Sequence, residues 1–273
     1  MCSPAAATIL TPTRSVASRT EITKCTIMKY ASSSFFHYTK SLDAIKHILE
    51  GGFSRFYCLE ELYSKKGTPV NHIGIPMVCF CDIPLGFISS NNYGKYVIGM
   101  KRTWGFNNRL LPVFYYPNNE GCLSTKAVIE ATKAFLANPK DTAAYSILGF
   151  AKPLKKIVAS SKAKPYSRKN YLEREWRKVY SPSSSFKWKT GAEYNIYRGS
   201  KTSPKRPVGT PLRFDVKDID MIIVPDADVQ SLISFVSGTS FNTFSGRAKP
   251  LSKSQRSLLI SKIVSFESLA ANI

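Results

Sequence analysis

Residues 73–85, Ile-Gly-Ile-Pro-Met-Val-Cys-Phe-Cys-Asp-Ile-Pro-Leu, hold the longest apolar run in the chain. Ile73 to Cys81 is uncharged, yet far shorter than the roughly 20 apolar residues that cross a bilayer. A run this continuous suits a buried, central β-strand. The turn Asp82-Ile83-Pro84 ends it, because proline has no N–H to continue a ladder. The chain is therefore expected to build a sheet around this strand and to have no membrane contact.

The segments on either side alternate between strand and helix patterns. Phe35 to Thr39 is an aromatic and β-branched run that predicts a strand. Ser41 can cap a helix carrying Leu42, Ile45, Ile48 and Leu49 on one face, with Gly51-Gly52 as the stop. Further strands are expected at Lys95–Met100, Leu111–Tyr116, Leu212–Val216 and Met221–Val224. Helices are expected over residues 125–137 and 143–150, from Asp226 or Asp228 to Phe235, and around 255–269. Such interleaving implies one α+β domain over residues 28–273, with a central mixed, mostly antiparallel sheet flanked by helices.

The first 27 residues fit neither pattern. They are rich in Ser, Thr and Ala, and Met28-Lys29-Tyr30 opens the patterned part, so residues 1–27 are expected to be a disordered leader or a misassigned start. They do not explain the charge. The whole 273-residue chain holds 39 Lys and Arg against 18 Asp and Glu, a net +21, of which +19 survives their removal. A field of that size favours polyanions such as nucleic acid or nucleotides, and its densest stretch is the basic region 152–178. The six cysteines lack paired metal-site spacing, which points to reduced thiols and a cytoplasmic location.

Glycine-rich phosphate loops, nucleophile elbows and clustered metal ligands are all missing from the sequence, so no metal is expected. Three positions remain as candidates. His37 sits inside an apolar strand, where a structural histidine bonded to a carbonyl and a functional one are both open readings; Tyr38 and Thr39 adjoin it. Glu173 and Glu175 lie amid positive charge that would keep them ionised. In a strand they share a face with Arg177, while Trp176 points the other way into the core. Asp82, at the end of the central strand, is either a ligand-binding carboxylate or a turn cap.

Several segments together resemble the AbiGi family: Phe36-His37-Tyr38-Thr39, Gly51-Gly52-Phe53, Tyr57-Cys58-Leu59-Glu60, Pro76 to Leu85, Tyr93 to Met100, Trp104-Gly105 and Tyr171 to Arg177. The resemblance implies an antitoxin component of an abortive-infection system against phage, with a cognate toxin as partner and no cofactor. A more distant resemblance is to ADP-ribosyltransferase-like folds. It implies that His37 with Thr39 would contact the ribose of NAD, and that Glu175 or Glu173 would stabilise an oxocarbenium-like transition state. A third alternative is a basic nucleic-acid-binding module using the aromatic and basic run Phe186 to Lys189 and the stretch before it.

Overall fold

A computed structural model describes residues 32–62, 71–87, 94–117, 119–158, 166–182, 187–198, 207–248 and 250–271, with side chains at 62, 71, 155–158 and 166–168 excepted. The expected leader lies outside these residues. So do Phe186 and every cationic side chain from Lys155 to Arg168.

The chain runs β1 (Ser34–Thr39), α1 (Leu42–Gly51), β2 (Phe56–Leu62), β3 (Asn71–Cys81), β4 (Tyr96–Lys101), α2 (Arg102–Asn107), β5 (Leu111–Pro112) and β6 (Phe114–Tyr116). It continues through α3 (Leu123–Ala137), α4 (Thr142–Leu148), β7 (Ala151–Pro153), β8 (Lys155–Val158), β9 (Tyr166–Lys169), β10 (Glu175–Val179), β11 (Lys189–Thr190) and α5 (Gly191–Arg198). The last elements are β12 (Ile219–Val224), α6 (Asp226–Ser237), α7 (Lys253–Ile260), β13 (Ile263–Ser265) and α8 (Phe266–Ala271).

Among the described residues, nine strands form the main sheet in the order β13-β12-β4-β1-β3-β10-β5, with β2 and β11 also laid against β3. Within this sheet the β12–β13 pair is parallel and the other pairings are antiparallel. The architecture is thus the expected α+β fold around the apolar run, which becomes the eleven-residue β3.

Side-chain alternation along the strands divides the core in two. Phe35, Val78, Phe80 and Ile98 face one way, packed with Ile45 and Leu49 of α1, Trp104 of α2 and Leu232 and Val236 of α6. Ile73, Ile75 and Met77 face the other way, against Val128 and Phe135 of α3, Tyr145 and Leu148 of α4 and Trp188. A smaller cluster of Phe36, Val97 and Ile223 is covered by Leu85, Phe266 and Leu269.

The capping expected for α1 is present. Ser41 Oγ accepts from the Ala44 N–H, and the Gly52 N–H closes onto the Ile48 carbonyl at 2.8 Å. Gly52 adopts φ +85°, and a Cβ there would lie 2.9 Å from the Leu212 carbonyl oxygen, so only glycine fits.

Three expected elements differ. Leu212–Val216 is no strand: Leu212 makes a single bridge to Phe53, and a capped 3₁₀ turn over Val216–Asp218 follows, so β12 starts at Ile219. Leu111–Tyr116 breaks at Val113, whose N–H turns to the Glu175 carbonyl; β5 stays in the main sheet while β6 pairs in parallel with β7. The helix expected over 255–269 is interrupted because the β-branched pair Ile263-Val264 is drawn into register with Ile222 and Ile223.

Candidate functional site

One side of β3 changes neighbour along its length. β2 pairs with it from Asn71 to Met77, and β1 meets it only at Phe36 opposite Cys81. Between the two contacts the Cys79 carbonyl has lost a strand partner, and His37 takes its place. The imidazole Nδ1 lies 2.8 Å from that oxygen. A carbonyl only accepts, so Nδ1 carries the proton. Burial outweighs this hydrogen bond and lowers the His37 pKa, which keeps the ring neutral. Its flanks rest on Phe53 and Phe80, with ring centroids 5.0 and 5.4 Å away.

A cleft of about 550 Å³ opens where the strands part. Phe36, His37 and Tyr38 line it from β1, Cys58, Glu60 and Glu61 from β2, and Cys79 and Cys81 from β3. Lys152, Asn170, Glu173 and Glu175 close the far wall.

The charged part of this wall is a connected network. β10 pairs with β3 so that Glu175 lies opposite Cys81 and Arg177 opposite Cys79. Arg177 has no exposed side-chain surface. Its Nε donates to Glu175 Oε1 at 2.7 Å, its Nη2 to Glu60 Oε1 at 2.8 Å and to Glu175 Oε2 at 3.2 Å, and its Nη1 to the Gly149 carbonyl at 3.1 Å. Lys152 Nζ reaches Glu173 Oε2 and Glu175 Oε2, each at 2.6 Å. Both oxygens of Glu175 are therefore engaged.

Electrostatics follow from that geometry. Burial alone would raise the Glu175 pKa, but the charges of Arg177 and Lys152 reverse this and hold the carboxyl far below its ordinary range. Burial likewise works against the Lys152 ammonium, and Glu175, Glu60 and Glu173 overcome it, locking the proton on. Tyr115, whose hydroxyl accepts from the Glu175 N–H at 2.9 Å, is pushed up to about 12, chiefly by burial. Three carboxylates thus surround two cations, and the cleft wall carries net negative charge inside a strongly basic protein. Cys58 and Cys79 also interact here: their thiol hydrogen bond lowers the Cys58 pKa and raises that of Cys79.

Four of the residues singled out in the sequence meet in the cleft: His37, Tyr38, Glu173 and Glu175. Arg177 supports it through Glu175. Glu173 is not in the strand as expected, because Asn170–Glu173 is a 3₁₀ turn and Arg174 takes φ +44° before β10 begins. It still joins Glu175 through the shared Lys152. Thr39 does not line the cleft. Asp82 is also elsewhere: buried, it accepts from the Ser32 N–H at 2.8 Å and pairs with Arg102 at 3.0 Å, a structural tie. Trp176 packs on Phe35 on the reverse face, as expected.

Sequence reasoning missed Glu60, Cys79 as a hydrogen-bond acceptor, and Lys152, which had been counted only within the basic stretch. Two cations of that stretch, Lys152 and Arg177, are committed to internal carboxylates and offer no basic surface. Among the described residues no group of three or more His, Cys, Asp or Glu side chains could hold a metal. No described helix is long and apolar enough to cross a membrane. Among the described residues Cys58, Cys79, Cys81 and Cys122 form no disulfide.

Comparison with known proteins gives two matches. The family model described as "Putative abortive phage resistance protein AbiGi, antitoxin" matches residues 52–225. A curated "Abortive phage resistance protein AbiGi" from Lactococcus lactis subsp. cremoris is 28% identical over 241 residues, spanning 76% of this chain and 92% of that protein. No solved structure matches.

Proposed function

The chain belongs to the AbiGi family of abortive phage resistance proteins, and from that membership we propose that it acts as the antitoxin component of a toxin–antitoxin pair. The observation that carries the proposal is the family match itself, whose description names an antitoxin. The matched span takes in β2, β3, β10 and Lys152, so every member of the charged network falls inside it. Neutralisation would then proceed by binding a cognate toxin protein. The test is co-expression with the product of a neighbouring gene. Growth arrest caused by that product alone and relieved by this chain supports the role. Arrest that this chain leaves unrelieved, or no toxic neighbour, overturns it.

A second reading is an NAD-using transferase, and the observation that favours it is that residues 37 and 175 line one cleft. The fit is partial. Ionised carboxylates suit a ribose diol, but among the described residues Lys152 is the one cation in the lining that could meet a pyrophosphate, and two carboxylates already hold it. In such a reaction Glu175 would place fixed negative charge beside developing positive charge. Incubation with labelled NAD tests this: label transferred by the wild type and lost in Glu175→Gln supports it, and equal signal removes it.

A further inference from the structure

One row of residues crosses five strands. Glu175 of β10 lies opposite Cys81 of β3, Cys81 opposite Phe36 of β1, Phe36 opposite Gly99 of β4 and Gly99 opposite Met221 of β12. Residues directly opposite each other share a face, so the row runs along one side of the sheet for four strand spacings, about 19 Å. A second row, Tyr38, Val97 and Ile223, lies beside it. Glu175, Cys81, Phe36 and Tyr38 line the cleft. Beyond Phe36 the same surface is apolar and shut. Phe36, Val97 and Ile223 are fully buried, covered by Leu85 and by Phe266 and Leu269 of α8. Gly99 gives the Phe36 ring its room, since a Cβ there would fall 2.9 Å from that ring and 3.0 Å from Met221.

The cover is lightly fixed. No residue of α8 is fully buried. Glu267 ties the helix to two other parts of the fold: its Oε1 meets Lys95 Nζ at 2.8 Å, and its Oε2 accepts from the Asp226 N–H at the start of α6 at 2.9 Å. Lys95 Nζ also lies 5.2 Å from the centroid of the Phe266 ring. The two charged side chains are 54% and 41% exposed, so their pairing adds little to the fold as a whole. The preceding β13 is held differently, by a ladder to β12. A short helix with half-exposed contacts therefore follows a strand anchored in the sheet, and such segments open locally far more readily than the core.

We propose that α8 is a displaceable strap, latched by Glu267, which swings out from β13 and uncovers Phe36, Val97 and Ile223 as an apolar shelf continuous with the cleft. Phe36 belongs to both the shelf and the cleft. With α8 in place the cleft takes occupants that stop at β1; an occupant reaching on to β4 and β12 has to compete with the helix for the same surface. This regulatory role rests on the cleft being the functional site. The opening itself is measurable without a toxin or NAD, so it stands or falls apart from either reading of the function.

The test places a thiol under the strap. In full-length Val97→Cys, alkylation of position 97 by iodoacetamide is followed by peptide mass spectrometry, alone and combined with Glu267→Gln, Lys95→Gln or Lys133→Gln. The last breaks an exposed ion pair within α3 and serves as the control. Each latch variant should speed alkylation about two- to fivefold, the factor expected for losing an exposed ion pair. The control should match the parent, and the urea midpoint should stay in place. Equal rates in all four chains overturn the proposal, as does an acceleration matched by an equal loss of global stability. Should Val97→Cys fail to fold, amide exchange over residues 266–271 in the otherwise native chain decides the matter. Exchange as slow as in β3, or unaltered by both latch variants, then overturns it.

Discussion

His37 donates from Nδ1 to the Cys79 carbonyl in the gap where β3 passes from β2 to β1, so a side chain performs there what a neighbouring strand does elsewhere. Replacing it by Ala leaves a buried carbonyl without that donor and should cost about 1–3 kcal/mol in urea unfolding. An unchanged midpoint would show that the bond is dispensable.

The same ring makes stability depend on pH. Its folded pKa is lowered, so the unfolded chain binds more protons near neutrality and stability rises with pH. That contribution is complete above the unfolded value, about 6.5, and declines as pH falls through it. Thermal unfolding between pH 7.5 and 5 should show this decline in the wild type, and a smaller one in His37→Gln. Equal declines would mean that another group is responsible.

Arg177 is the buried charge on which the cleft wall depends. Arg177→Met strips Glu175 and Glu60 of their shared counter-ion and should destabilise the fold by about 3–5 kcal/mol. Arg177→Lys should rescue little, because a compact ammonium has three donors at one point, whereas the guanidinium spreads four bonds from Nε, Nη1 and Nη2 over Glu175, Glu60 and the Gly149 carbonyl. Full rescue by Lys would show that charge alone matters.

Glu175 contributes in the same sense as His37, but in a more acid range. Its folded pKa is depressed, so its contribution is present above the unfolded value of about 4.3 and is lost as pH falls below that. An acid titration followed by circular dichroism should show a steeper loss for wild type than for Glu175→Gln. Superimposable curves would contradict the ion pairing.

Asp82 should behave as a tie rather than as a site residue. Asp82→Asn weakens its hold on the Ser32 N–H and on Arg102, whose guanidinium also stacks on Phe35 at 4.7 Å. Protease cleavage near residue 32 should accelerate, while any activity in the cleft stays unchanged. A lost activity with unchanged cleavage would place Asp82 in the site after all.

Much of this was legible in the residues. Continuous apolarity marked β3, capping residues marked α1, and period-two alternation put Glu175 and Arg177 on one face with Trp176 on the other. What stayed hidden depended on tertiary partners. Lys152 looks like one cation among many until β7 brings it between Glu173 and Glu175, which lie 21 and 23 residues away in the chain. Glu60 meets Arg177 across 117 residues, a separation that no local pattern encodes. Asp82 misled because a carboxylate at a strand's end looks the same whether it meets a ligand or a distant N–H. The breaks at Val113 and Ile263 likewise reflect competition for strand partners, which outweighs local propensity.

The exchange of partners along β3 also has a mechanical side. A continuous ladder resists shear by loading many hydrogen bonds at once, but across this seam one imidazole and the single Phe36 to Cys81 contact carry the load. β2 and β1 therefore share β3 as a common spine. Amide exchange should show the rim of the cleft breathing faster than the paired stretches of β3 on either side.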